Sequence, residues 1–571
     1  MFNHISINRL TTLAVAFLCV ATKAFAGDTI TIPSNFYHVD AKQHIIVINK
    51  KVGDINADAD ELRTHLVLDK DYAFVNPTLL VNTASSYQVT LQNTVYTAYF
   101  TDLPIIHIDT ENEIVDSPSV YANFLMSEAS GAVMQSSLGI EIRGGYSQVY
   151  PKKSYKLSFW SDTKGDVSRD VSLLKMRTDN KWNLQALYNE PLRSNSKTSN
   201  ELWQDIHQIY YKDKEPDAKN GIDMAYVEVF LNNEYKGLYA LSERIDRKQL
   251  KLKKYNSGII GELYKGNDWG GAVTFTSLPD FDNTSSTWGG FEYKHPEEKT
   301  DWTNLYNFVK FVENSSDQDF YNQYKTKFNL KNAVDYYIFL NLIRAVDNTG
   351  KNLYVAKYKT NEPYYYAPWD LDGTFGNNWF GGRDNVTNDI LSNGFYKRLI
   401  KDNSPSGFNA TLYQRWAELR ATVITEDYIL HKFKEKQDYL LNNNIYEREH
   451  LAWNSFSYDN TYADYTATWL KSRIAYLDGI FAQSSTVLKS GSSKQGAAVS
   501  IYPNPANDFL FVETEALPYE LSIQDMNGRV VSKTMLNGTL NKIAINNLAK
   551  GLYMVTVKNS KTFRTQKLVI N

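Results

Sequence analysis

The sequence predicts an α+β protein: a two-lobed central domain, preceded by a small β-rich segment and followed by a β-sandwich. Three observations predict it. From Asp28 to Phe100, short alternating runs stand between Asn, Asp and Pro. From Leu103, strand patterning dominates to about residue 265 and helical periodicity dominates after Asp301. A strand-rich part followed by a helix-rich part points to two lobes with a cleft between them. From about Val499, alternating strands separated by Gly-containing turns indicate a compact sandwich. The boundaries expected are 1–26 for a leader, 27–100 for the β-rich segment, 101–483 for the central domain, 484–498 for a linker and 499–571 for the sandwich.

The leader reads as a signal peptide. Arg9 flanks an apolar run from Leu10 to Ala21, and Ala24-Phe25-Ala26 offers a small-x-small cleavage site before Gly27. The run is too short to span a bilayer, so no transmembrane segment is expected in the mature protein. The only cysteine, Cys19, lies inside the leader, which excludes disulfides, thiolate zinc sites and a cysteine nucleophile downstream. The nine histidines form no HExxH pattern, which argues against zinc hydrolase chemistry.

In the β-rich segment the strand candidates are Ile30–Ile32, His44–Ile48, His65–Leu68, Tyr87–Leu91 and Ala98–Phe100. Over the whole chain, a composition of 43% hydrophobic and 22% charged residues is that of globular domains. A formal net charge of −3 shows no basic excess, so no nucleic-acid partner is expected. The 40 tyrosines serve either as half-buried strand filler or as contact surfaces, and Trp269, Trp288 and Trp379 either pack or meet sugars.

The stretch Asn329–Gly376 carries the candidate chemistry. Asn329 caps a helix whose apolar stripe is Ala333, Val334, Tyr337, Ile338 and Leu342, with Gly350 expected to stop it. Leu353–Lys357 and Tyr364–Ala367 then read as a hairpin across Thr360-Asn361-Glu362-Pro363. Acidic loops bracket that hairpin, so Asp347 and Asp370 are expected at the same end of it. Asp347 and Asn352 have the spacing of the catalytic Asp and metal-binding Asn of a protein-kinase loop, and Asp370 falls where kinases hold their metal-binding Asp. Phosphoryl transfer needs such a set: a carboxylate for the acceptor hydroxyl and oxygen ligands for a divalent cation. Taken alone, the stretch reads equally as turn-forming acidic residues.

The surrounding motifs add a resemblance. Leu103-Pro104-Ile105-Ile106-His107-Ile108 opens the domain, followed by Ile140-Glu141-Ile142-Arg143-Gly144-Gly145-Tyr146-Ser147 and Pro151-Lys152-Lys153-Ser154-Tyr155-Lys156-Leu157. Trp182–Ala186, Leu192–Asn195, the hairpin Tyr226–Tyr239 and Glu243-Arg244-Ile245-Asp246 come next, before Trp369–Gly376. In order and spacing these resemble the CotH family of atypical kinases, over roughly residues 103–420. The resemblance implies a two-lobed kinase-like fold, ATP with Mg²⁺ or Mn²⁺, Asp347 as catalytic aspartate, Asp370 as metal aspartate and Asn352 as its companion. Lys153 or Lys156 would contact phosphate, or either is a surface strand charge. Arg143 and Lys351 are placed on the nucleotide side, Arg143 otherwise stabilising its tight turn. Glu243 pairs with a lysine as kinases do, or forms a surface ion pair. Asp372 is a second metal ligand or caps the next turn. No GxGxxG loop is present, and Arg-Gly-Gly-Tyr-Ser stands where many relatives have Arg-Gly-Asn-Ser-Ser.

The C-terminal segment resembles the type A sorting domain of the type IX secretion system of Bacteroidetes. Tyr502-Pro503-Asn504-Pro505, the turn Asp525-Met526-Asn527-Gly528 with its following strand, Gly551-Leu552-Tyr553 and Lys567-Leu568-Val569-Ile570 carry the likeness. It implies type IX machinery as a partner of residues 499–571 and a secreted or outer-surface location. The function expected is phosphate transfer from ATP to Ser or Thr of secreted or surface proteins. The alternatives are a silent kinase-like adhesin or scaffold and a kinase-fold transferase of AMP or glutamate.

Overall fold

The computed structural model describes residues 29–57, 59–482, 499–514, 518–525, 528–559 and 563–570. The expected leader and linker lie outside the described residues, as do Met526 and Asn527 of the sorting-segment turn. The chain divides into two units, Met1–Ser484 and Ser485–Asn571.

The first unit begins with a seven-stranded sheet in the order Thr29–Thr31, Arg63–Val67, Asp71–Thr78, Ser86–Leu91, Thr94–Phe100, Ile45–Ile48, Tyr37–Asp40. Ile45-Ile46-Val47-Ile48 is buried at every position, which explains a strand without alternation. One face packs inside the sheet with Val89, Ala98 and Phe100. On the other, Ile45, Val47 and Tyr99 share a cluster with Ile105, Phe230 and Tyr235 of the central domain. The β-rich segment therefore shares its core with the domain that follows.

Seven strands then close a barrel: Val133–Arg143, Ser154–Trp160, Lys181–Gln185, Glu234–Ser242, Met224–Leu231, Ile105–Asp109 and Val120–Ser127. Alternate residues turn inward, among them Ile106, Leu138, Ile140, Leu157, Phe159, Trp182, Leu184, Val227 and Leu241. Closure leaves no free sheet edge. A helix at Asn195–Ile206 interrupts the strand-rich part. Its first turn is Ser-, Thr- and Asn-rich, which hid it from the periodicity reading.

The second lobe is built on an antiparallel sheet, Thr287–Trp288, Phe291–His295, Glu262–Gly266, Leu353–Lys357, Tyr364–Pro368. Behind it the helix Leu330–Ile343 is buried from Asn332 to its end, so apolar residues occur on every side, and the buried Asn332, Asp335 and Asn341 are each hydrogen-bonded. Asn329 caps it by accepting from Asn332 N. The helix stops at Arg344, not at Gly350. Arg344 adopts φ 52°, its N–H reaches the Asn341 carbonyl, and its guanidinium is held by Asp384 and Asp389. Gly350 instead ends a separate 3₁₀ turn, Val346–Thr349.

The second unit is a β-sandwich. One sheet is Val499–Tyr502, Phe509–Thr514, Leu540–Ala544, and the other is Val530–Leu536, Tyr519–Asp525, Gly551–Lys558, Phe563–Ile570. Leu510, Val512, Leu521, Ile523, Val555 and Leu568 fill it. Asn504 donates to the Lys567 carbonyl and accepts from Val569 N, so the first and last motifs of the segment meet in space.

Candidate active site

A cavity of about 840 Å³ lies between the barrel and the second lobe. That is the size of a small-molecule or cofactor site. Its barrel wall comes from the antiparallel pair Val133–Arg143 and Ser154–Trp160, in which Glu141 faces Lys156 and Arg143 faces Ser154. Lys156 Nζ lies 2.5 Å from Glu141 Oε1, and Glu141 also accepts from Ser119 Oγ. At the strand end, the Arg143 guanidinium sits 5.5 Å over the Trp369 ring. Burial pulls Arg143 below the ordinary arginine pKa. Arg244 lines the same cavity with a buried Nη1 that has no hydrogen-bond partner among the described residues. Lys265, also lining it, is pulled below the ordinary lysine pKa by burial. Gly144 (φ 109°) turns the chain after Arg143, and a Cβ there would meet Ser147 Oγ at 2.0 Å.

The opposite wall comes from the hairpin. Leu353 pairs with Pro368, and Trp369 N donates to the Asn352 carbonyl at 3.0 Å. The loops carrying Asp347 and Asp370 thus emerge at one end, as the spacing predicts. Asp347, Lys351, Asn352, Asp370 and Asp372 all line the cavity. Lys351 Nζ is 3.4 Å from Asp347 Oδ2. Asn352 and Asp370 hold left-handed backbone, at φ 54° and 58°. Burial, with the charge of Asp370 beside it, pushes the Asp372 carboxyl up to about 8. Asn189 Nδ2 donates to Asp372 Oδ2 at 2.5 Å.

Two expected residues are not in the cavity. Lys153 Nζ turns back to the Gln148 carbonyl at 2.5 Å, because strand alternation gives the cleft face to Ser154 and Lys156. Glu243 is fully buried and serves as an anchor, accepting from Arg177 N, Asp223 N, Gln249 and Lys219. Its lysine partner is Lys219, at 3.1 Å and away from the cavity, whereas Lys156 pairs with Glu141. Trp288 is buried packing, whereas Trp269 and Trp379 stand at the cavity.

Sequence reasoning missed Glu141, Arg244, Asn189 and Glu190. Alternation carried a signal for Glu141, two residues before Arg143 and on the same face. Glu190 belongs to the turn Leu187–Arg193, where Arg193 Nη1 donates to the carbonyls of Leu187, Tyr188 and Glu190. Arg193 is itself buried against Glu449, which also takes Lys152 Nζ at 2.5 Å. Glu190 Oε1 is buried without a partner among the described residues, and burial pushes its carboxyl up to about 7.

Among the described residues, no three His, Cys, Asp or Glu side chains converge into a metal cage. Asp370, Asp372 and Asn352, which line the same cavity, are residues there whose side chains offer oxygen donors. Such a set suits a hard divalent cation that completes its shell with phosphate and water.

Residues 140–477, more than half of the chain, match the family model described as CotH kinase protein. The chain belongs to the CotH kinase protein family. The CotH match spans both walls of the cavity, from Arg143 to Trp379. Residues 500–571 match the Secretion system C-terminal sorting domain. This CotH protein is therefore a secreted or outer-surface protein handled by type IX secretion machinery. No helix among the described residues is long and apolar enough to cross a membrane. No curated protein matches the chain.

Proposed function

We propose that the cleft binds ATP with Mg²⁺ or Mn²⁺ and transfers the γ-phosphate to a Ser or Thr hydroxyl of a secreted or surface protein. The observation that carries this is the opposition of the two walls. Half-buried Arg143 and Arg244, neither in an ion pair among the described residues, face the carboxylates of Asp347 and Asp370 across one cavity. Guanidinium groups that hold no salt bridge in a concave site suit phosphate.

In this reading Arg143, Arg244 and Lys156 orient the phosphates, with Glu141 fixing the Lys156 ammonium. Asp347 accepts the proton of the acceptor hydroxyl as its oxygen bonds to the γ-phosphorus. The bond from that phosphorus to the β–γ bridging oxygen breaks, and ADP leaves with the electron pair. Asp370, Asp372 and Asn352 would hold the divalent cation, whose chemistry is to neutralise charge on the phosphates. Lys351 neutralises Asp347 in the resting site.

The test incubates the mature full-length protein with γ-labelled ATP and Mg²⁺ or Mn²⁺, beside Asp347→Ala and Asp370→Ala. Label transfer with release of ADP, lost in both variants, is expected. Release of AMP or pyrophosphate would move the assignment to nucleotidyl or glutamyl transfer, and no ATP binding by the folded protein would sink it.

A further inference from the structure

The mouth of the cleft exposes a cluster of aromatic rings. Tyr146 is 58% accessible, Trp379 39% and Phe380 56%. Large apolar side chains gathered in one exposed patch mark an interaction surface, unlike the scattered ones every protein carries. Tyr146 belongs to the 3₁₀ turn Tyr146–Val149 after the barrel wall, and Trp379 and Phe380 to the turn that follows Asp372. The rings nevertheless meet. Tyr146 stands edge-on to Trp379, with centroids 4.7 Å apart and planes at 87°, and to Phe380 at 6.5 Å and 79°.

This rim is held in place. Asn189 Nδ2 donates to the Trp379 carbonyl at 2.7 Å and, with its other bond, to the Asp372 carboxylate. Gly381 (φ 86°) lies so close to the Asn189 carbonyl that a Cβ there would approach within 2.2 Å. One side-chain amide thus fixes both the aromatic turn and the acidic loop.

We propose that the rim docks the acceptor polypeptide by taking a bulky apolar side chain that flanks the modified Ser or Thr. This rests on the phosphotransfer reading above. Tyr146 and Trp379 line the same cavity as Asp347 and Asp370, so a chain anchored at the rim continues into the cleft. The ring geometry selects the class of occupant. A sugar stacks on one open, flat ring face, whereas rings at right angles form a corner with two apolar walls. A corner suits Leu, Phe, Tyr or Pro, and burying such a group there supplies affinity that the polar cleft does not.

The experiment offers the mature full-length protein, with a non-hydrolysable ATP analogue and Mg²⁺, to an array of Ser-centred peptides. Flanking positions carry Ala, Leu or Phe in turn, and an oligosaccharide array is run in parallel. Peptides with an apolar residue at one fixed distance from the Ser should be retained about tenfold better than their Ala counterparts. That preference should fall to about twofold or less in Trp379→Ala and Phe380→Ala, whose melting temperatures report that the fold is kept. Capture of saccharides without a peptide preference, a preference that survives both substitutions, or no peptide capture would each overturn the proposal. ATP binding measured by calorimetry on the same samples separates the two readings. Its absence sinks phosphotransfer, and its presence without an apolar preference sinks only the rim.

Discussion

Asn348 holds Trp369: its Nδ2 donates to the Trp369 carbonyl at 2.8 Å, and also to the Asn352 carbonyl at 2.6 Å. Asn348 is almost fully buried, and its own carbonyl accepts from Tyr336 OH. One amide next to Asp347 therefore ties down the backbone on both sides of the hairpin mouth, including the residue that precedes Asp370. Asn348→Ala strips a buried bond from two carbonyls and should cost about 1–3 kcal/mol in stability. Chemical denaturation should register that loss, and label transfer should fall further than the stability change explains. Asn348→Asp should be worse, because a carboxylate would face both carbonyls.

Glu141 and Lys156 form the ion pair beside the cavity, while the lysine that Glu243 takes is Lys219. Removing the charge with Glu141→Gln should weaken ATP binding about tenfold, from losing a charge-assisted bond of roughly 1.5–3 kcal/mol that fixes the ammonium. Glu243→Gln should act on stability instead, since Glu243 anchors Lys219 and two backbone amides away from the cavity. Calorimetric titration with ATP against melting temperature distinguishes the two.

Burial raises the Glu190 carboxyl from an ordinary 4.5 to about 7. A carboxyl raised on folding binds more protons folded than unfolded between those values. Its contribution favours the folded state below 4.5 and is lost as pH climbs to about 7. Glu190→Gln removes that dependence. The stability of the wild type relative to this variant should therefore decline by up to about 3 kcal/mol across the window, read from denaturation midpoints at each pH.

Glu449 neutralises two buried cations, Lys152 and Arg193, and accepts from Leu238 N. Burial already pulls Lys152 down to about 8. Glu449→Gln leaves both cations without their carboxylate and should cost about 3–5 kcal/mol. All the tryptophans lie outside residues 499–571, so tryptophan fluorescence reports this loss from the first unit alone.

The sequence made the acidic end of the site legible and left the basic end obscure, for a physical reason. Asp347, Asn352 and Asp370 flank one hairpin, where local spacing determines geometry, and the pairing of Leu353 with Pro368 delivers them together. Arg244, Glu190 and Asn189 reach the cavity through barrel closure and a turn shaped by Arg193, a long-range arrangement that residue spacing does not encode. Lys153 and Lys156 were indistinguishable until the strand register set Lys156 opposite Glu141. The helix end was misplaced because Arg344, a residue type without a preference for left-handed backbone, terminates it, with Asp384 and Asp389 holding its side chain there.

The left-handed backbone at Asn352 and Asp370 bears on how this lineage can drift. Asn, Asp and Gly tolerate that conformation best, whatever chemistry the side chain performs. A chain with no phosphate-transfer activity would still be held to those residue types at both positions, by the hairpin mouth alone. Asp347, on an ordinary 3₁₀ turn, carries no such constraint. On the phosphotransfer proposed above, loss of the reaction would therefore free position 347 to change, while the hairpin mouth would still hold 352 and 370 to Asn, Asp or Gly.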